Sequence, residues 1–409
     1  MKKFLLTLNF SHLKEGFVIA LLLSSFIYLE HYGLRSYILN TVFGVVGLYL
    51  LLKSQKQTVL FFGFFIGILW FYWISYSFKY NGVGYIAPFV VVGFGFVYMF
   101  FFSPLALTNN PYMRAAALFA LSFYSPANFN WLRLELPFVH SYIGVYKWQF
   151  ALLLFVLATF MYLQNKKLKP LVLLGILATI NYNFYPPQNN APLAIKLVQT
   201  DVPQEYKWTK EAIQPTILMV YKEIEQATKE GYDVVVLPES VVPLFLNTTP
   251  VLIEQFQILS KQIDIVLGSL LLEKNNHYNV TYHFAQDGTY EVAKKVVLVP
   301  FGEYIPLPDF LKHYINDVFF AGASDFVTAK KPTDFTIQGV KFRNAICYEA
   351  TSALLYQDNP KYIIATSNNG WFTPSIEPTL QKLLMSYYAK KHGTTIYHSA
   401  NRKGSGVIK

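Results

Sequence analysis

The 409-residue chain is 53% hydrophobic and only 14% charged, with a formal net charge of +10 and a single cysteine. A charged share so far below the usual ~25% excludes a wholly water-exposed enzyme, and one thiol excludes an internal disulfide. The basic excess gathers largely in short breaks between apolar stretches, with no Lys/Arg-aromatic stripe in residues 191–409, so no nucleic-acid partner is expected.

A bilayer core requires about 20 mainly apolar residues in a helix. Such stretches are predicted at residues 16–32, 36–52, 58–78, 84–107, 147–163 and 170–185, with a seventh, short and rich in small residues, at 113–125. Residues 1–188 are therefore expected to form a transmembrane domain of about seven helices. The first stretch lacks an Ala-x-Ala-like cleavage site and does not read as a removed signal peptide. Placing the N-terminus in the cytoplasm puts Lys2, Lys3, Lys14, Lys53, Lys56, Arg114, Lys166, Lys167 and Lys169 inside, leaving Arg35, Lys79, Arg133 and Lys147 outside. Seven spans from that start deliver residue 190 to the outside, periplasmic in a bacterium with two membranes. Trp70, Trp73 and Tyr76 read as an interfacial aromatic belt.

Asn189-Asn190-Ala191-Pro192 is the expected linker. Beyond it, residues 193–409 alternate between strand-like and helical patterns. Strands are predicted at 193–202 and 234–237, separated by a helix with Ile217, Val220, Tyr221, Ile224 and Ala227 on one face and Gly231 at its end. A second helix carries Leu252, Phe256, Leu259 and Ile263. Strands follow at 265–272, 278–284, 290–299, 335–346 and 362–367, then 395–399, with helices at 349–356 and 378–391. This alternation indicates a layered α/β domain.

Three polar residues stand at or near the ends of apolar runs: Glu239 after Val234-Val235-Val236-Leu237-Pro238, Lys295 before Val296-Val297-Leu298-Val299-Pro300, and Cys347 after Asn344-Ala345-Ile346. A thiol becomes a nucleophile when a base takes its proton and a helix N-terminus favours the thiolate. Burial lifts the proton affinity of a carboxylate such as Glu239 toward that of a working base. A lysine beside such a run is costly to bury unpaired and should meet a carboxylate, Glu303 being the nearest, or a developing oxyanion. Plainer readings stand beside these: a small core hydrophobe for Cys347, a cap for Glu239, an exposed hairpin ion pair for Lys295 and Glu303, and dipole complementarity for Glu349. None of His277, His283, His313, His392 and His398 has a recognisable Cys/His context, and no metal site or cofactor is inferred. Gly82-Val83-Gly84 reads as a loop, and Asn279-Val280-Thr281 is given no weight as a glycosylation match.

Taken together, Pro238-Glu239-Ser240, Lys295 followed by Val299-Pro300-Phe301-Gly302-Glu303, and Cys347-Tyr348-Glu349 resemble the nitrilase (carbon-nitrogen hydrolase) superfamily. Within it the chain is most similar to the membrane-embedded branch, the apolipoprotein N-acyltransferase family. The resemblance covers nearly the whole sequence and implies a multi-span membrane domain followed by a nitrilase-like α-β-β-α sandwich. It implies Glu239 as general base, Lys295 as the cation for the intermediate and Cys347 as nucleophile. Glu303, Tyr348 and Glu349 fall on supporting positions, and Trp208 is similar to a substrate-loop tryptophan. The implied partners are a membrane phospholipid as acyl donor and a diacylated lipoprotein as acceptor. Apolar segments 241–246 and 305–311 offer a route for lipid. Family members usually carry another transmembrane helix after the sandwich, whereas this sequence stops at Lys409, and Asn401-Arg402-Lys403-Gly404-Ser405 keeps only an echo of the usual pattern. The alternatives are a membrane-tethered amidase using water as acceptor and a binding scaffold without catalysis.

Overall fold

The computed structural model describes residues 10–80, 82–126, 129–182, 184–300, 303 and 326–409. The chain separates into two compact units, Met1–Phe184 and Tyr185–Lys409.

The first unit is helical: α1 (Phe10–His31), α2 (Tyr37–Lys53), α3 (Lys56–Phe71), α4 (Ala87–Phe102), α5 (Pro111–Leu121), α6 (Lys147–Tyr162) and α7 (Lys169–Leu173). Among the described residues, three continuous segments, Phe10–His31, Lys56–Tyr80 and Gly84–Leu107, are long and apolar enough to cross a bilayer. The stretch expected at 113–125 is an eleven-residue helix starting at Pro111, and that at 170–185 is α7 continued by a 3-10 segment, Leu174–Thr179. Lipid gives apolar side chains no hydrophobic reason to associate, so close backbone contact has to hold the helices together. Gly63 and Gly67 supply it: a Cβ there would lie 2.6 Å from the Tyr98 carbonyl oxygen and 2.3 Å from that of Phe94. The aromatic belt is corrected in part. Trp70 and Trp73 are buried; the Trp70 indole donates to Ser24 Oγ at 2.9 Å, and Trp73 packs on Trp131. Among the three, only Tyr76 is exposed.

Among the described residues the second unit contains two five-stranded sheets. The first runs β1 (Ile195–Leu197), β2 (Val234–Val236), β3 (Asp264–Glu273), β4 (Asn276–Phe284), β5 (Tyr290–Lys294). The second has the order β10 (Gly406–Ile408), β9 (Thr395–Asn401), β8 (Tyr362–Asn368), β7 (Val340–Ile346), β6 (Asp334–Ile337). The period-two alternation of a strand explains the layers. Val234, Val236 and Val266 join Phe342, Ile364 and Tyr397 in a core shared by the two sheets. Val235, Ile265 and Leu267 face the other way, onto Val220 and Ile224 of α9 (Lys210–Lys229) and Phe256 of α10 (Pro250–Ser260). A short helix α8 (Gln204–Lys207) precedes α9, and α11 (Glu377–His392) covers the later part of the chain. The unit is thus the expected nitrilase-like sandwich.

Several expectations change in detail. The single strand expected at 335–346 is the β6–β7 hairpin, turning through Gln338 and Gly339, both at positive φ. The helix expected at 349–356 is two 3-10 segments, Cys347–Thr351 and Ala353–Tyr356. Of the segment 241–246 expected to offer lipid a route, Val241, Val242 and Leu246 are buried in the helix-facing core, and Leu244 and Phe245 are half-buried. Residues 305–311 and His313 lie outside the described residues.

Candidate active site

Glu239 stands three residues beyond β2, where Pro238 has no N–H to extend the ladder. The turn it opens crosses β3 closely, and Gly268 makes that possible: a Cβ there would sit 2.4 Å from Ser240 N and 2.6 Å from Glu239 Cα. Both carboxylate oxygens are held. Asn279 Nδ2 donates to Oε1 at 2.8 Å, and the Asn368 backbone N–H donates to Oε2 at 2.8 Å.

Lys295 follows β5 directly, its N–H bonded to the Asn279 carbonyl at 3.0 Å. The side chain is 1% exposed and meets Glu303 Oε1 at 2.7 Å and Glu239 Oε1 at 3.7 Å. Glu303 Oε2 in turn accepts from the Val299 N–H at 2.9 Å. This is a buried pair rather than a surface hairpin bridge.

Cys347 directly follows β7 at φ +54°, in the left-handed region that is strained for any residue with a Cβ. It remains partly exposed. Gln381 Nε2 of α11 donates to Sγ at 3.8 Å. A five-residue 3-10 segment follows instead of an α-helix, so the expected thiolate stabilisation by a helix dipole is withdrawn. Glu349 ties the turn to the Lys295 segment, accepting from the N–H groups of Ile346 at 2.7 Å, Val296 at 2.8 Å and Val297 at 3.2 Å. Tyr348 beside it is buried.

The electrostatics follow from burial around a few charges. Burial and the Glu239 carboxylate push the Cys347 thiol well above its usual value, with Lys295 pulling the other way. Burial works against the Lys295 cation, yet Glu303 and Glu239 hold its ammonium charged. Burial raises Glu349 to about 7 despite Lys295 and its backbone donors. The Glu377 carboxyl, at the start of α11, is raised well above its usual range by burial and then by Glu239.

Sequence reading missed Asn279, Asn368, Lys207, Glu377 and Gln381. Asn279 lies in the discounted Asn-Val-Thr triplet, within a strand whose other face is apolar. Asn368 is the last residue of β8, a polar end to an apolar run, which is the pattern that pointed to Glu239 and Cys347. The Asn401-to-Ser405 segment joins this frame: Asn401 Oδ1 accepts from Thr200 and Val202, and its Nδ2 donates to Asn368 Oδ1 at 2.9 Å. Trp208 is 44% exposed at the end of α8.

A family model described as apolipoprotein N-acyltransferase integral membrane domain matches residues 10–182, and one described as carbon-nitrogen hydrolase matches residues 194–403. The apolipoprotein N-acyltransferase of Wolinella succinogenes is 44% identical over 390 residues, 95% of this chain and 94% of that protein. This chain belongs to the apolipoprotein N-acyltransferase family. Members so named from Helicobacter hepaticus and Helicobacter pylori are 37% and 33% identical, covering 90% and 97% of this chain and 92% and 95% of their own. The family accounts for both units: an integral membrane domain, then a carbon-nitrogen hydrolase domain.

Proposed function

We propose that the protein moves an acyl chain from a membrane phospholipid, through a thioester on Cys347, to the N-terminal amine of a diacylglyceryl-cysteine on an apolipoprotein. The carrying observation is that Lys295 meets Glu239 and Glu303 while Glu349 ties the Cys347 turn to the segment after Lys295, with Glu239 and Lys295 both acting on the thiol. The near relatives named for this reaction along nearly their full length favour transfer over amide hydrolysis.

Glu239 accepts the thiol proton, and the sulfur attacks the ester carbonyl. The carbonyl oxygen gains the negative charge, which the Lys295 ammonium stabilises. Collapse breaks the ester C–O bond, and Glu239 returns its proton to the leaving lysophospholipid. The lipoprotein amine then attacks the thioester carbonyl and gives a proton to Glu239. Collapse breaks the C–S bond and Glu239 returns its proton to the departing sulfur, leaving an amide, the free thiol and an ionised Glu239. Glu303 keeps Lys295 charged, and Glu349 and Tyr348 hold the Cys347 turn. Trp208 meets the lipid from the exposed end of α8. The Lys/Arg bias of the short loops supports a sandwich on the outer face of the cytoplasmic membrane, where both proposed substrates would carry lipid anchors.

Purified protein incubated with phospholipid and a diacylated lipopeptide should yield a triacylated peptide and one equivalent of lysophospholipid. Trp208→Ala should slow that transfer while Cys347 still reacts with a small alkylating agent. Free fatty acid without peptide product would support a hydrolase instead.

A further inference from the structure

Lys207 has no role in the scheme above, yet it is 2% exposed, and no carboxylate lies within ion-pair distance of it among the described residues. Its Nζ donates to the backbone carbonyl of Glu239 at 2.9 Å. A buried ammonium held by one backbone acceptor, with the Trp208 ring 6.0 Å from its Nζ, is costly unless its position repays it through another group. The group it touches is the backbone of Glu239, next to Ser240 at φ +46°.

The same short helix makes a second attachment. Gln204 Oε1 accepts from Asn368 Nδ2 at 2.9 Å, and the Asn368 N–H is what holds Glu239 Oε2. Residues 204–207 therefore grip Glu239 twice: at its main chain through Lys207, and at its carboxylate through Gln204 and Asn368. Trp208, the next residue, is exposed.

We propose that Lys207 is a positioning residue that fixes Glu239 as the base for Cys347, and that α8 thereby joins the exposed Trp208 to the general base. The idea rests on the assignment of Glu239 as that base. The charged and titratable groups acting on the ammonium are Glu239 and Cys347; burial lowers it to about 8, and these two act in the opposite direction.

Because the chain has one cysteine, iodoacetamide labelling of the full-length protein in detergent, followed by intact mass, reads Cys347 alone. At pH 7, Lys207→Met should label at least tenfold more slowly than wild type. The double variant Lys207→Met/Glu239→Gln should be no slower than Glu239→Gln alone, since Lys207 acts through Glu239. Multiplicative slowing, or wild-type labelling of Lys207→Met, would overturn the proposal. Should Lys207→Met fail to fold, Lys207→Arg decides. It should label more slowly than wild type, because the guanidinium cannot place the same donor on the Glu239 carbonyl, yet Lys207→Arg/Glu239→Gln should be no slower than Glu239→Gln alone; equal slowing in both backgrounds would overturn the proposal. Normal labelling of Glu239→Gln would remove the base assignment itself. An absence of phospholipid-derived acyl adduct would count against the acyl-transfer reading and leave the labelling result standing.

Discussion

Burial lifts the Glu349 carboxyl from 4.5 to about 7 even though three backbone N–H groups favour its anion. Between those values the folded protein keeps a proton that the unfolded chain releases. Rising pH across that window therefore destabilises the fold through this group, by at most about 3 kcal/mol, and the effect is complete above about 7. Glu349→Gln removes the slope, and it also replaces one accepting oxygen by an NH2 facing a backbone donor, at a cost of roughly 1–3 kcal/mol. In thermal melts, the deficit of Glu349→Gln relative to wild type should shrink as pH rises from 5 to 8. A constant deficit would mean that Glu349 is already ionised at the lower pH. Sequence alone pointed to Glu239, Lys295 and Cys347 because each is a polar residue bordering an apolar run. Asn279 and Lys207 gave no such sign. Their contacts join positions 40 and 32 residues apart in the chain, and no local pattern encodes a partner at that range.

At the level of elements, the site depends on how closely the Glu239 turn lies on β3. Gly268→Ala would place a methyl group 2.4–2.7 Å from three backbone atoms of that turn, and backbone cannot yield as a flexible side chain can. Overpacking of this kind costs about 1–3 kcal/mol, so a lower melting temperature should accompany slower acyl transfer. An active, equally stable Gly268→Ala protein would show that the turn tolerates displacement. Element type was legible where the pattern was long: the α9 face carrying Val220, Ile224 and Ala227 is buried. It failed where one residue redirects the chain. Gln338 and Gly339 split an apolar run into a hairpin, and the strained Cys347 starts a 3-10 segment, with Ser352 opening a second one by accepting from the Leu354 N–H. Composition does not distinguish a lipid-facing indole from one packed against a neighbouring helix, which is why Trp70 and Trp73 read as interfacial in sequence and are buried in the structure.

At the scale of the whole molecule, an integral membrane unit precedes a carbon-nitrogen hydrolase unit. Its orientation rests on the Lys/Arg bias of the short loops. A phosphatase reporter fused after residue 409 should be active outside the cytoplasm, and one fused near Lys167 should not; the reverse pattern would deny the site any access to exported lipoproteins. The central claim is the covalent intermediate, which must persist until a second bulky substrate arrives and so must be kept from water. Intact-protein mass spectrometry after incubation with phospholipid alone tests it most directly. The wild-type protein should gain one acyl chain, released by neutral hydroxylamine and discharged onto a diacylated peptide amine. Cys347→Ser, Glu239→Gln and Lys295→Met should gain little or none. An unmodified wild-type protein that steadily releases free fatty acid or ammonia would contradict the account.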